Sequence, residues 1–195
     1  MIVSELRDGR MGMALAGLCA AVRDGRQVLL RPVRAEDADR VQSFVRALSP
    51  QSRHSRFFGG LSELSPYLLR RLTRPARPTE FGLLALAGDP GARQVVGMAQ
   101  YALEASCWAE LGVVVADAWQ RQGLGMRLIR MLGEHAARTG VRALRALTLT
   151  ENHAVLALMR RLEWTLLGSP EPGLMQFEKP IARAAAPACI SSFAL

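Results

Sequence analysis

Leu111-Gly112-Val113-Val114-Val115-Ala116-Asp117-Ala118-Trp119-Gln120-Arg121-Gln122-Gly123-Leu124-Gly125 reads as a strand, a turn and the start of a helix, and it decides the fold. The valine-rich run has strand composition. Leu124, Leu128, Met131 and Leu132 then recur at helical spacing toward Arg138, and Gly140 stands just beyond as a C-cap. A helix that begins inside a glycine-bearing loop offers unpaired N–H groups and the positive end of its dipole. That combination suits a pyrophosphate: Gly123 and Gly125 permit close approach, and Arg121 and Arg127 add charge. The loop is not a P-loop, because Met126-Arg127 stands where lysine and serine or threonine are needed. It also lacks the third glycine of a dinucleotide fingerprint.

On the N-terminal side, Val28 to Val33 is a short strand interrupted by Pro32. Ala35-Glu36-Asp37 opens a helix whose buried face is Val41, Phe44, Val45 and Leu48, ended by Ser49-Pro50. Residues 51–63 read as a polar, arginine-rich loop, and Ser65-Pro66 caps a second short helix. Strands are expected from Phe81 to Ala87, Gln94 to Leu103 and about Trp108 to Val115. Downstream, Ala143 to Leu149 is a strand and Asn152 starts a helix with Val155, Met159 and Leu162 on one side. Two short strands follow, split by Gly168 to Gly173. This is an α+β order rather than the regular alternation of a doubly wound sheet.

The 195 residues suit one domain, with half of them apolar and 22% charged. Met11 to Val22 faintly resembles a signal peptide, but Glu5 and Asp8 precede it and Arg23-Asp24 follow at once. A short docking helix or loosely held extension is the expectation. The division drawn is an extension at 1–27, a single folded domain at 28–180 and a loose tail at 181–195. The net charge of +8 is almost wholly arginine, Lys179 being the single lysine. A basic surface favours an anionic partner, yet the arginines are scattered and no nucleic-acid-binding pattern accompanies them. Cys19, Cys107 and Cys189 are too few and too widely spaced for a disulfide framework or a metal site. Reduced thiols, a cytoplasmic location and no membrane span follow as expectations.

The pattern Gln120-x-x-Gly123-x-Gly125 after a valine-rich strand resembles motif A of the GNAT superfamily of N-acetyltransferases. Thr148-Leu149-Thr150-Glu151-Asn152-His153-Ala154 resembles that superfamily's next strand and helix, and Val28 to Val33 with Glu36-Asp37 resembles its opening. Leu48-Ser49-Pro50-Gln51-Ser52-Arg53, then Arg56-Phe57-Phe58-Gly59, with Ala109 to Val115, is similar to the catalytic domain of Pat-type bacterial protein lysine acetyltransferases. The resemblance implies a GNAT-like fold, with a mostly antiparallel sheet splayed after the strand ending at Val115 and flanked by helices. It implies acetyl-CoA as co-substrate, no metal, a protein lysine as acceptor and, from the superfamily's habit, a homodimer. Cofactor contacts carry over to Val113, Val114, Val115, Gln120, Arg121, Gln122, Gly123, Leu124, Gly125, Met126, Asn152 and Met159. Glu110 carries over as the catalytic base.

Each role has a plainer alternative. An amine with a reference pKa of ~10.4 must lose a proton before it attacks, and Glu110 in apolar surroundings would be tuned for that. It is otherwise an edge-strand carboxylate facing water. The valines are core residues by their side chains, while the resemblance gives their backbone to the pantetheine arm and to a carbonyl-polarising N–H. Asn152 suits an N-cap as well as a cofactor contact. Many superfamily members carry a tyrosine general acid in the second helix; that position is Met159 here, and Pat-type enzymes also lack it. Arg53, His54 and Arg56 line a substrate mouth or form a solvated or phosphate-facing loop. His135 and His153 read as structural, and Cys107 has no histidine placed to activate it. Acetylation of a small amine or antibiotic, and a non-catalytic acyl-CoA-binding regulatory role, stand as alternatives to lysine acetylation.

Overall fold

A computed structural model of the chain describes residues 17–74, 80–104 and 108–182. Its strands are β1 (Leu18–Ala21), β2 (Gln27–Pro32), β3 (Glu80–Ala87), β4 (Gln94–Leu103), β5 (Trp108–Val115), β6 (Ala143–Leu149), β7 (Thr165–Gly168) and β8 (Leu174–Pro180). They form one sheet in the order β1-β2-β3-β4-β5-β6-β8-β7. The helices are α1 (Ala38–Ala47), α2 (Pro50–Phe57), α3 (Pro66–Thr73), α4 (Leu124–Arg138) and α5 (His153–Arg161). Buried and half-buried residues alternate along β6, as the period of two demands. The middle of β3 is buried at every position because helices cover both sheet faces.

On one face, Val41, Phe44 and Val45 of α1 and Leu72 of α3 pack with Leu84, Met98 and Val114. On the other, α4 lays Leu124, Leu128, Ile129, Leu132 and Ala136 into a cluster with Leu83, Ala85, Ala99 and Leu111, which Leu156 and Met159 of α5 join. Each of these side chains larger than alanine contributes about 1.5–3 kcal/mol when taken from water. Met131 lies at the edge of this cluster and is only partly buried.

All neighbouring strands are antiparallel except β5 and β6, which the α4 crossover makes parallel. β5 pairs with β4 from Ala109 to Val115, but with β6 only through Trp108–Glu110 against Ala143–Arg145. Beyond Glu110 the two strands have no ladder between them. This is the splay expected from the resemblance.

Two expectations are corrected. Leu18–Ala21, within the stretch read as a docking helix, is an edge strand paired with β2. Gly17, at φ +90°, precedes it, and Gly25, at φ +88°, turns the hairpin into β2. The supposed loop after Ser49-Pro50 is mostly α2. Ser49 accepts the Ser52 N–H (3.1 Å) as N-cap and Pro50 opens the first turn, so the same dipeptide ends α1 and begins α2. The residues before Gly17 and after Ala182 lie outside the described residues, as does Cys107.

Candidate active site

The splay leaves one edge of β5 bare. The Ala116 N–H donates to the Val96 carbonyl (2.9 Å), toward β4. By strand alternation, the Val113 and Val115 N–H groups point the other way, into the slot. The Gln120 side-chain amide donates to the Val115 carbonyl there (3.1 Å), where a β6 residue would otherwise pair, and also to Ser52 Oγ (3.0 Å). The chain then passes through Arg121 at φ +60° and Gly123 at φ +84° into α4. No side chain caps this helix start. Its first-turn N–H groups and dipole end therefore remain available to an anion.

Slot, loop and α5 enclose a cleft of about 870 Å³. Glu110, Val113, Val114, Val115, Gln120, Arg121, Gly123, Gly125, Met126, Asn152 and Met159 all line it. Gln122 and Leu124 are not among its lining residues. Leu124 is buried in the core beneath the loop, and the Gln122 carbonyl accepts the Arg23 N–H (3.2 Å). Asn152 is the N-cap of α5, its Oδ1 accepting the Val155 N–H (3.2 Å).

Arg23 and Arg26, in the β1–β2 turn, belong to this architecture although no sequence pattern placed them there. Arg23 lines the cleft and donates to the Arg121 carbonyl (3.5 Å). Arg26 stacks over Trp119 at 3.7 Å and donates to the Ala118 carbonyl (2.9 Å). The Asp24-Gly25 pair was the only signal for that turn. Thr148 also lines the cleft, its Oγ1 buried and without a partner among the described residues. Sequence reading did not single it out as a site residue; the available signal was a polar residue on the β6 face shared with Leu144 and Ala146.

A second cleft, of about 290 Å³, meets the first at Arg56, Glu110 and Gly112. The register puts Glu80, Ala102 and Glu110 in one row across β3, β4 and β5, and Gly82, Gln100 and Gly112 in the next. α2 and α3 overhang this floor with Arg56, Phe57, Leu68 and Arg71. Glu110 is exposed, so the apolar enclosure expected for it is absent. The Arg56 guanidinium lies on Gly112, where an added Cβ would overlap it. Burial lowers the Arg56 pKa to about 10 against the opposing pull of Glu110, leaving it cationic at neutral pH.

The other residues named from sequence take plainer places. Arg53 donates to the Arg46 (3.1 Å) and Leu48 carbonyls at the end of α1, and His54 is exposed. His135 stacks on Phe81 with ring centres 3.5 Å apart and is hydrogen-bonded to the Tyr101 hydroxyl (2.7 Å). His153 lies on the rim of the first cleft. Among the described residues no group of three metal-ligating side chains occurs, and no helix is long and apolar enough to cross a membrane.

Residues 27–165 match the family model of the Acetyltransferase (GNAT) domain. The chain is 38% identical over 135 residues to Acetyltransferase PA5475 of Pseudomonas aeruginosa, covering 68% of this chain and 72% of that protein. Among solved structures it resembles the GNAT domain of S. lividans PAT, with a TM-score of 0.76 and 25% identity over 84% of this chain and 96% of that one. The fold is also that of yncA from Salmonella typhimurium, solved with its cofactor acetyl-CoA. There the TM-score is 0.63 and the identity 20%, over 83% of this chain and 98% of that one. A cleft split open along one strand and ending on an uncapped helix start, in a chain with these relatives, is that of a member of the GNAT acetyltransferase family.

Proposed function

We propose that this acetyltransferase moves an acetyl group from acetyl-CoA to a primary amine, in the first instance a cytoplasmic protein lysine, with Glu110 as general base. The observation that carries the proposal is a pair of clefts that share Arg56, Glu110 and Gly112 and present three different features. The α4 start and the arginines of the loop suit a pyrophosphate; the Val113 and Val115 N–H groups suit an amide-bearing arm; Glu110 stands where the two clefts meet. These features fit acetyl-CoA, and the orphaned Thr148 hydroxyl adds a polar group to the wall. When bound, acetyl-CoA supplies an activated acetyl thioester. The chain's part is to hold it extended along β5 and to take a proton from the incoming ammonium at the Glu110 carboxylate. The resemblance to Pat-type enzymes and the likeness to the S. lividans PAT domain support lysine as acceptor.

The test is thiol release from acetyl-CoA with lysine peptides, proteins and small amines, comparing wild type with Glu110→Gln. The expected result is turnover with lysine substrates and a loss of about 10²- to 10⁴-fold in the variant, with acetyl-CoA binding retained. Binding without turnover of any amine sinks the reading, and full activity in Glu110→Gln removes the base assignment.

A further inference from the structure

The Arg56 side chain has no hydrogen bond and no ion pair among the described residues. Its Nε is fully buried without a partner, and its ring neighbour is Phe57, 5.1 Å from the guanidinium carbon. The side chain as a whole is half-buried, but a guanidinium with a sealed, unpaired Nε and no protein acceptor for its other N–H groups offers its donors to an anion. Glu110 is close enough to influence it but forms no ion pair with it. The Glu110 carboxylate likewise has no hydrogen bond or ion pair among the described residues. Two opposite charges therefore line the same junction, each unsatisfied by the other.

The anion that Arg56 lacks is not a coenzyme phosphate. Val115, where the phosphate loop begins, lies three residues further along β5 from Gly112, roughly 10 Å away. That loop carries Arg121, and Arg23 of the β1–β2 turn lies beside it. In the second cleft Arg71 faces Glu80 at 3.8 Å, so that pair neutralises itself. Glu104, exposed at the rim, adds negative charge on the same side as Glu110. What remains open is one cation, Arg56, with two carboxylates, Glu104 at the rim and Glu110 at the junction; Arg56 and Glu110 are set by positions 112 and 110 of one strand face, roughly 7 Å apart along the backbone.

We infer that Arg56 is a specificity-determining residue that binds a carboxylate of the acceptor while Glu110 receives its amine. The acceptor is then an amine with a carboxylate within several bonds of it. Two sources share this chemistry: a free amino acid, or a lysine in a peptide with an acidic neighbour. The inference rests on the amine-acetyltransferase reading and narrows it.

The experiment compares matched acceptors that differ only by carboxylate or carboxamide: lysine against lysinamide, and lysine peptides with glutamate against glutamine beside the lysine. Wild type is expected to favour the carboxylate member by about tenfold to a hundredfold in kcat/KM, the range of a charge-assisted hydrogen bond. In Arg56→Gln the ratio within each pair falls to near one, and Arg56→Lys restores part of it. Preference in the free pair alone identifies the small-molecule source; preference in the peptide pair alone identifies the acidic-flanked lysine. Should Arg56→Gln fail to fold, the wild-type ratios and Arg56→Lys decide. Equal rates within every pair overturn the inference while leaving amine acetylation standing, as does a preference that survives in Arg56→Gln. No turnover of any amine overturns both.

Discussion

Asp117 accepts hydrogen bonds from both the backbone N–H (3.0 Å) and the hydroxyl (2.8 Å) of Ser49, the residue that caps α2. The same carboxylate takes the Ser52 hydroxyl (2.7 Å), to whose oxygen the Gln120 amide also donates. The turn after β5 is thereby fastened to the helix that carries Arg56, so the loop leading into α4 and the junction of the two clefts share one anchor. Burial pushes the Asp117 carboxyl up, but the Ser49 and Ser52 hydrogen bonds outweigh it and hold it below the usual carboxylate range.

Replacing Asp117 by alanine leaves the Ser49 cap and the Gln120 loop without their common acceptor. A loss of about 1–3 kcal/mol is expected in urea denaturation, with a raised KM for acetyl-CoA. Stability and KM both equal to wild type would show that the anchor is dispensable.

Asn152 separates capping from ligand binding by substitution. Asn152→Ala should cost about 1 kcal/mol, while Asn152→Ser keeps an acceptor for the Val155 N–H and costs much less. If Asn152 also touches acetyl-CoA, both variants raise its KM. A KM that follows stability alone assigns the residue to capping only.

Arg31 and Asp37 form a buried two-pronged pair, at 2.6 and 2.7 Å, that joins β2 to the start of α1. Removing one charge leaves the other unpaired, so Asp37→Asn is expected to destabilise by about 3–5 kcal/mol. Burial would raise the Asp37 carboxyl. The Arg31 side chain, the Arg34 N–H and the nearby Arg40 charge overcome that and lower it. A lowered folded-state pKa means the stability is present above the ordinary value of 3.8 and is lost as pH falls through the folded one. Acid unfolding of wild type should accordingly steepen below about pH 4, and Asp37→Asn should lack that component.

His135 gives the opposite case, a base held neutral. Burial first, and then the Arg138 charge, lower its pKa to about 4 from 6.5. As pH falls below 6.5 the unfolded chain takes up the proton and the folded one does not, so stability declines between these two values. Thermal melts should show wild type losing more Tm from about pH 7 to about pH 5 than His135→Gln does. Parallel slopes would mean that His135 protonates freely in the fold.

The elements whose signals are local were legible. β4, β5, β6 and α4 lie where period and composition put them, and Asn152 caps its helix. α2 was missed because Pro50–Phe57 buries no residue and so has no apolar stripe to read. β1 was missed because small residues become a strand only by pairing with β2. At the site, the loop from Gln120 to Gly125 is written in adjacent residues. The seat of Arg56 on Gly112 joins distant segments, and the one local hint was a glycine inside a strand, which often marks a close backbone approach.

The short β5–β6 ladder has a mechanical meaning. The five strands before it and the three after it are joined as one sheet by three residue pairs alone. A ligand lying along β5 with its amides against Val113 and Val115 adds rungs where the sheet has none. Under the proposed binding mode, occupancy of the slot and stiffness of the sheet would be a single variable, because the ligand would brace the seam between the two halves.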